Sequence, residues 1–138
     1  MTDIRNCQRT AKVDPALIRR AVAAALEVAG APGKEVSIAL VGDRRMRELN
    51  RGFRGKDRAT DVLAFPLPEE EFLGEVVVSM ATCLRQALEA GRSAEAELAE
   101  LVVHGVLHLA GHDHELGRKE SAEMLRLQAL AMKRLGRL

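Results

Sequence analysis

"AEAELAELVVHGVLHLAGHDH", residues 94–114, reads as a strongly apolar helix that stops at a glycine and runs into a histidine-rich turn. Ser93 stands before it as an N-cap, although position 96 is Ala and not the Glu or Gln of a capping box. All four histidines of the chain lie in its second half, at His104, His108, His112 and His114. His104 and His108 are four apart, which puts both imidazoles on one helical face about one turn apart. Gly111 can take a positive φ and end the helix. The chain can then turn back and bring His114 to the same ion. Three neutral imidazoles with an open fourth position are what a catalytic zinc requires. Such an ion lowers the pKa of a bound water and polarises a phosphoryl or carbonyl oxygen. His112 follows the glycine stop and is expected to have a structural or supporting role rather than to be a ligand. Asp113 is expected to cap or orient.

Other readings of the cluster are weaker. One buried, hydrogen-bonded histidine is common, but three at ligand spacing are not. A purely structural metal is not needed, because 138 residues, about half of them apolar, can bury a core unaided. The spacing is also that of the metzincin peptidases, H-E-x-x-H-x-x-G-x-x-H. The Glu that serves those enzymes as general base is replaced here by Gly105, so the metal geometry is kept without the proteolytic machinery.

Upstream of this helix the chain alternates strands and helices. Residues 3–8 suggest a short strand. "DPALIRRAVAAALEVAG", residues 14–30, is a helix with Asp14 as N-cap, Pro15 in its first position and Gly30 after its end. "EVSIALVG" (35–42) is a strand, and "DRRMRELNRGF" (43–53) a short helix after an Asp cap with Met46 and Leu49 inward. A polar loop leads to the strand "VLAFPL" (62–67), stopped by Pro66 and Pro68, and then to the strand "GEVVVSM" (74–80). "ATCLRQALEAG" (81–91) and residues 118–135 complete about five helices around one mixed sheet. This is an α/β or α+β arrangement in a single domain spanning 1–138.

Cys7 and Cys83 form no C-x-x-C pair and are expected as free, partly buried thiols of a reducing compartment. "MTDIRNCQRT" has no apolar h-region, which predicts no signal peptide. The apolar runs are too short to span a membrane, so a soluble, cytoplasmic protein without membrane partners is expected. Net charge is +1, but residues 44–58 carry Arg44, Arg45, Arg47, Arg51, Arg54, Lys56 and Arg58 against only Glu48 and Asp57. With no Trp or Tyr and three Phe, a nucleic-acid site here would have little aromatic stacking and would grip phosphates.

"HGVLHLAGHDH" (104–114), together with "RGFRGKDRATDVLAFP" (51–66) and "LGEVVVS" (73–79), resembles the YbeY family of bacterial metal-dependent endoribonucleases, the ribosomal RNA maturation factors. The resemblance runs through essentially the whole chain. It implies a compact domain with a four-stranded mixed sheet and one divalent metal per chain, usually zinc, on His104, His108 and His114. It places the family's functional arginine at Arg54, and the position of His112 is often Tyr. It also implies a single-strand-specific endoribonuclease acting on ribosomal RNA, at the 3′ end of the small-subunit RNA and in ribosome quality control. A small-subunit ribosomal protein and an assembly GTPase are the implied partners, and a monomer is expected. Where members often carry an acidic patch after the final histidine, this chain has the mixed "ELGRKESAE" (115–123).

RNA cleavage needs an activated oxygen, help for the leaving group and neutralised phosphoryl charge. Arg54 can clamp two phosphate oxygens in fixed geometry, and with His104 it is the expected catalytic pair. Arg51, Lys56 and Arg58 are expected to hold the strand. The competing reading of the basic run is a solvated helix and loop. Arg54 is set apart by its expected place in a Gly-bounded loop off any helix face. Asp61 is expected as a strand-end cap or a base, and Glu75 as a buried partner for an active-site basic group. Two alternative functions remain open: a ribosome-assembly factor with weak or no catalysis, and a metal-dependent hydrolase of another substrate. Three imidazoles also accept nickel, iron or copper.

Overall fold

A computed structural model describes residues 2–67, 69–112 and 117–138. Among the described residues four strands and five helices follow in the order β1 (Thr2–Asn6), α1 (Pro15–Val28), β2 (Glu35–Val41), α2 (Asp43–Arg54), β3 (Val62–Pro66), β4 (Phe72–Ser79), α3 (Met80–Ala90), α4 (Ala94–Leu109) and α5 (Arg118–Leu135). The strands form one sheet in the order β1-β2-β4-β3. β1, β2 and β4 run parallel, and β3 returns antiparallel beside β4. The mixed four-stranded sheet with five helices is therefore as expected.

Alternation along the strands splits the sheet into two faces. Val36, Ile38 and Leu40 of β2 and Val76 and Val78 of β4 point to the main core, where α1, α4 and α5 cover them. Ala39, Val41, Leu63 and Val77 point the other way and are covered by Met46 of α2. Beyond α2 this second face is open, and a groove there is lined by Asp3, Arg5, Glu35, Ser37, Phe65, Leu67, Phe72 and Glu75. β3 is an edge strand, with α4 packed on its core side.

Local chemistry fixes the helix ends. Asp14 Oδ1 accepts from the Ala16 amide at 3.0 Å, and Ser93 Oγ accepts from the Ala96 amide at 3.0 Å, so both expected caps are in place. The expected cap of α2 is corrected. Gly42 is the N-cap, and Asp43 is the first helical residue. Its carboxylate turns away from its own helix and accepts from the hydroxyls of Ser79 and Thr82, each at 2.6 Å, and lies 2.8 Å from Arg85 Nη2. α2 is thereby tied to the β4–α3 junction. β4 begins at Phe72 rather than Gly74 and ends at Ser79, whose hydroxyl caps α3, so Met80 is helical and not the end of a strand.

Cys83 is buried, as expected, and burial pushes its thiol up to about 12, which makes it unreactive near neutrality. Cys7 is exposed rather than partly buried, and both thiols are free. No helix among the described residues is long and apolar enough to cross a membrane.

Candidate functional site

α4 is almost wholly buried, with Val102, Val103, Val106 and Leu107 fully inside. His104 and His108 are the half-buried residues in this apolar run, and they share one face of the helix. The helix is closed by a Schellman arrangement in which Gly111 N donates to His108 O (3.1 Å) and His112 N donates to Leu107 O (3.1 Å). Gly111 takes φ +99° to allow it, a conformation that side chains rarely adopt. His112 thus closes the helix through its backbone. The expected third ligand, His114, and Asp113 lie outside the described residues. Among the described residues no three His, Cys, Asp or Glu side chains come together as a metal site.

His104 Nδ1 sits 3.0 Å from Gln128 Oε1 on α5. The amide orientation is set in turn by Glu100, whose Oε1 accepts from Gln128 Nε2 at 3.4 Å. Arg92 Nη1 donates to the other Glu100 oxygen at 2.8 Å. An amide oxygen only accepts, so this contact favours the His104 tautomer that bears its proton on Nδ1. A metal-ligating imidazole is set up in this way, with the second nitrogen held by an acceptor. Two imidazoles on one helical face are donors of the kind that can hold a divalent ion, with His114 as the expected completing ligand.

Gly105 has its own structural reason. A Cβ there would meet Val76 Cγ1 at 2.5 Å and Cγ2 at 2.9 Å. α4 lies so close to β4 that any side chain at this position would force Val76 or the helix to shift.

The basic run occupies α2 and the turn after it. Arg51, Arg54, Lys56 and Arg58 are all exposed. Arg54 is the last residue of α2 rather than part of a loop. The helix keeps its geometry one residue further because Gly55 supplies a left-handed C-cap at φ 69°. Two residues with no motif of their own shape this turn. Asn50, buried, donates through Nδ2 to Arg58 O (2.9 Å). Asp57 accepts from Arg47 Nε (2.7 Å) and Nη2 (3.1 Å) and lies 4.0 Å from Arg51. The hydrogen bond from Arg47 holds the Asp57 carboxyl below the usual carboxylate range. Asn50 is not among the residues expected from the sequence, though its place four residues after Met46 on an inward stripe is a signal that could have found it. Gln128 has no such signal, because nothing local tells that α5 lies against α4.

Asp61 behaves as a strand-end cap: its Oδ1 accepts from the Val62 amide (2.8 Å) and its Oδ2 from Gln86 (3.3 Å). Glu75 is not a partner of the histidine site. It projects from the opposite face of β4 to Val76, pairs with Arg5 of β1 and accepts from Ser37 Oγ at 3.2 Å. The two expected groups thus stand on opposite faces of the sheet, His104 and His108 on α4 and the basic turn on α2. The edge strand β3 packs against α4 on one face, and its Phe65 meets Phe53 of α2 on the other.

Comparison with known proteins gives a consistent picture. The family model described as Endoribonuclease YbeY matches residues 3–136. An Endoribonuclease YbeY of Anaeromyxobacter is 48% identical over 124 residues, 82% of this chain and 64% of its own length. Those of Aquifex aeolicus (42%, covering 82% and 78%) and Carboxydothermus hydrogenoformans (48%, covering 83% and 83%) are similar. The chain thus spans under two thirds of the Anaeromyxobacter relative and more of the other two. The solution structure of a Thermotoga maritima protein superposes with a TM-score of 0.68 at 36% identity, over 96% of this chain and 87% of that one. With the sheet, the helix order and the histidine-bearing helix in place, this chain belongs to the YbeY family of endoribonucleases.

Proposed function

We propose that the protein is a metal-dependent endoribonuclease of single-stranded RNA that acts in ribosomal RNA maturation at the 3′ end of the small-subunit RNA. The relatives named endoribonucleases support the reaction class. One geometric observation carries the site: the edge strand β3 has the histidine helix on one face and the basic turn of α2 on the other. A strand of RNA laid over that edge would pass from one group to the other.

His104, His108 and His114 hold one divalent ion per chain, zinc in the first instance. When bound, that ion supplies Lewis acidity to a phosphate oxygen or a water. Gln128 keeps the proton on Nδ1 of His104 and orients its ring. Arg54 presents a planar fork to two phosphate oxygens and offsets charge as it builds on phosphorus. Arg51, Lys56 and Arg58 hold the flanking phosphates, and Asp57 and Asn50 keep the turn in shape. Gly105 supplies no carboxylate at the position that serves a peptidase as general base, which disfavours amide hydrolysis. A cytoplasmic monomer meeting small-subunit particles, with a ribosomal protein and an assembly GTPase nearby, fits this role.

The test is turnover. Purified protein should cut single-stranded RNA internally, spare a matched duplex and stop when a chelator is added. Binding of RNA without cleavage under any metal supply would favour an assembly factor instead.

A further inference from the structure

We propose that Phe53 is a stacking platform for one nucleobase of the RNA strand, a reading that rests on the endoribonuclease function above. The inward stripe of α2 runs through Met46, Leu49, Asn50 and Phe53 at helical spacing. Met46 and Asn50 are buried, yet Phe53, further along the same stripe, is 69% exposed. Its ring is not loose. It meets Phe65 of β3 with centroids 4.2 Å apart and planes at 81°, an edge-to-face contact. Whichever ring offers its edge, at least one face of Phe53 stays in water. Two of the chain's three phenylalanines are thus gathered beside the basic turn, which amends the expectation that stacking has little to use here.

The surroundings name the occupant. Arg54 follows Phe53 directly, and Arg51, Lys56 and Arg58 are exposed within the same turn and loop. That is a charge pattern for phosphates around a flat apolar surface for a base. Among the described residues the other exposed large apolar side chains are aliphatic leucines, and Leu125 sits beside the Glu123–Arg126 ion pair rather than in a basic cluster. On the far side of Phe65 the open groove carries Asp3, Glu35 and Glu75 against Arg5. Those carboxylates turn a polyanion away, so the strand is confined to the basic side. A ring presented ready-fixed loses little freedom on stacking. A duplex hides its base faces, so the platform selects single strands.

The chain has no Trp or Tyr, so Phe53→Trp introduces a lone indole reporter. On mixing with a short single-stranded RNA, followed on the timescale of binding, its emission should be quenched to saturation. A matched duplex, or an abasic oligomer of the same length and charge, should leave it unchanged. Phe53→Ala should weaken single-strand binding by roughly five- to a hundredfold, the range for losing one stacked base. Phe53→Tyr should keep the affinity and Phe53→Leu should recover little of it. The slope of log affinity against log salt should not change in Phe53→Ala, since no phosphate contact is removed. An unquenched indole at saturating RNA overturns the proposal. So does an equal loss of affinity for the abasic oligomer, or no loss at all. If wild type cleaves RNA and Phe53→Ala matches it in affinity and rate, only the platform fails. If wild type neither binds nor cleaves RNA, the endoribonuclease reading fails with it.

Discussion

Gln128 Oε1 lies 3.0 Å from His104 Nδ1 and, through Glu100, fixes which ring nitrogen of that histidine bears the proton. Removing the acceptor should loosen the ring and let the tautomers mix. Gln128→Ala is expected to weaken metal binding by about 10–100-fold, as loss of such an outer partner typically does. Competition against a chromogenic chelator reads this directly, with circular dichroism to show that the helices persist. An unchanged metal affinity would remove Gln128 from the account.

Gly105 is a packing requirement. In Gly105→Ala the new methyl group would sit 2.5 Å from a Val76 methyl, and valine has few rotamers with which to yield. Helix propensity favours alanine by up to ~1 kcal/mol, but overpacking typically costs ~1–3 kcal/mol. The net effect should be a lower urea midpoint with an unchanged slope. Adding Val76→Ala should recover part of the loss. A more stable single variant would show that α4 can lift off the sheet freely.

Much of this was readable before any coordinates. The period-four histidines, the glycine stop at Gly111 and the caps Asp14 and Ser93 are local signals, and local backbone chemistry decides them. What stayed hidden was set by tertiary approach. Asp43 looked like a helix cap because its sequence neighbours allow that; its carboxylate instead serves Ser79 and Thr82, which only the fold brings within 2.6 Å. Arg54 looked like a loop residue because glycines flank it, yet Gly55 serves as a C-cap that prolongs the helix through Arg54. Glu75 was expected beside an active-site basic group, because strand alternation gives parity but not which face holds the histidines. Gln128 and Phe65 acquire their meaning only from partners far away in the chain.

Asp43 should shape the acid limb of the stability curve. Burial raises its carboxyl pKa, but hydrogen bonds from Ser79, Thr82 and Arg85 outweigh that and leave it below the usual aspartate range. A folded-state pKa below the unfolded value means stability that is present above the unfolded value. It is lost as pH falls through the folded one. Asp43→Asn should therefore flatten the fall in stability on acidification and lower stability at neutral pH. Unfolding midpoints measured across the acid range check this. A parallel displacement of the whole curve would show that ionisation of Asp43 contributes nothing.

Arg54 separates catalysis from binding. Arg54→Ala should slow RNA cleavage by on the order of a hundredfold or more, as loss of one preorganised donor does. Affinity for RNA should fall much less, because Arg51, Lys56 and Arg58 remain. Arg54→Lys should restore only part of the rate, since charge returns without the planar fork. Rate and affinity are to be measured on the same preparations at one salt concentration. Equal falls in both would make Arg54 a binding residue only.

The most direct measurement is a titration of metal into stripped protein, with bound metal and single-stranded RNA cleavage followed on the same samples. Cleavage should be absent at the start and rise in proportion to occupancy. It should saturate at one ion per chain, and His108→Ala should neither fill nor cut. Cleavage at full rate by the stripped protein, or none at full occupancy, would contradict a metal-dependent endoribonuclease built on α4.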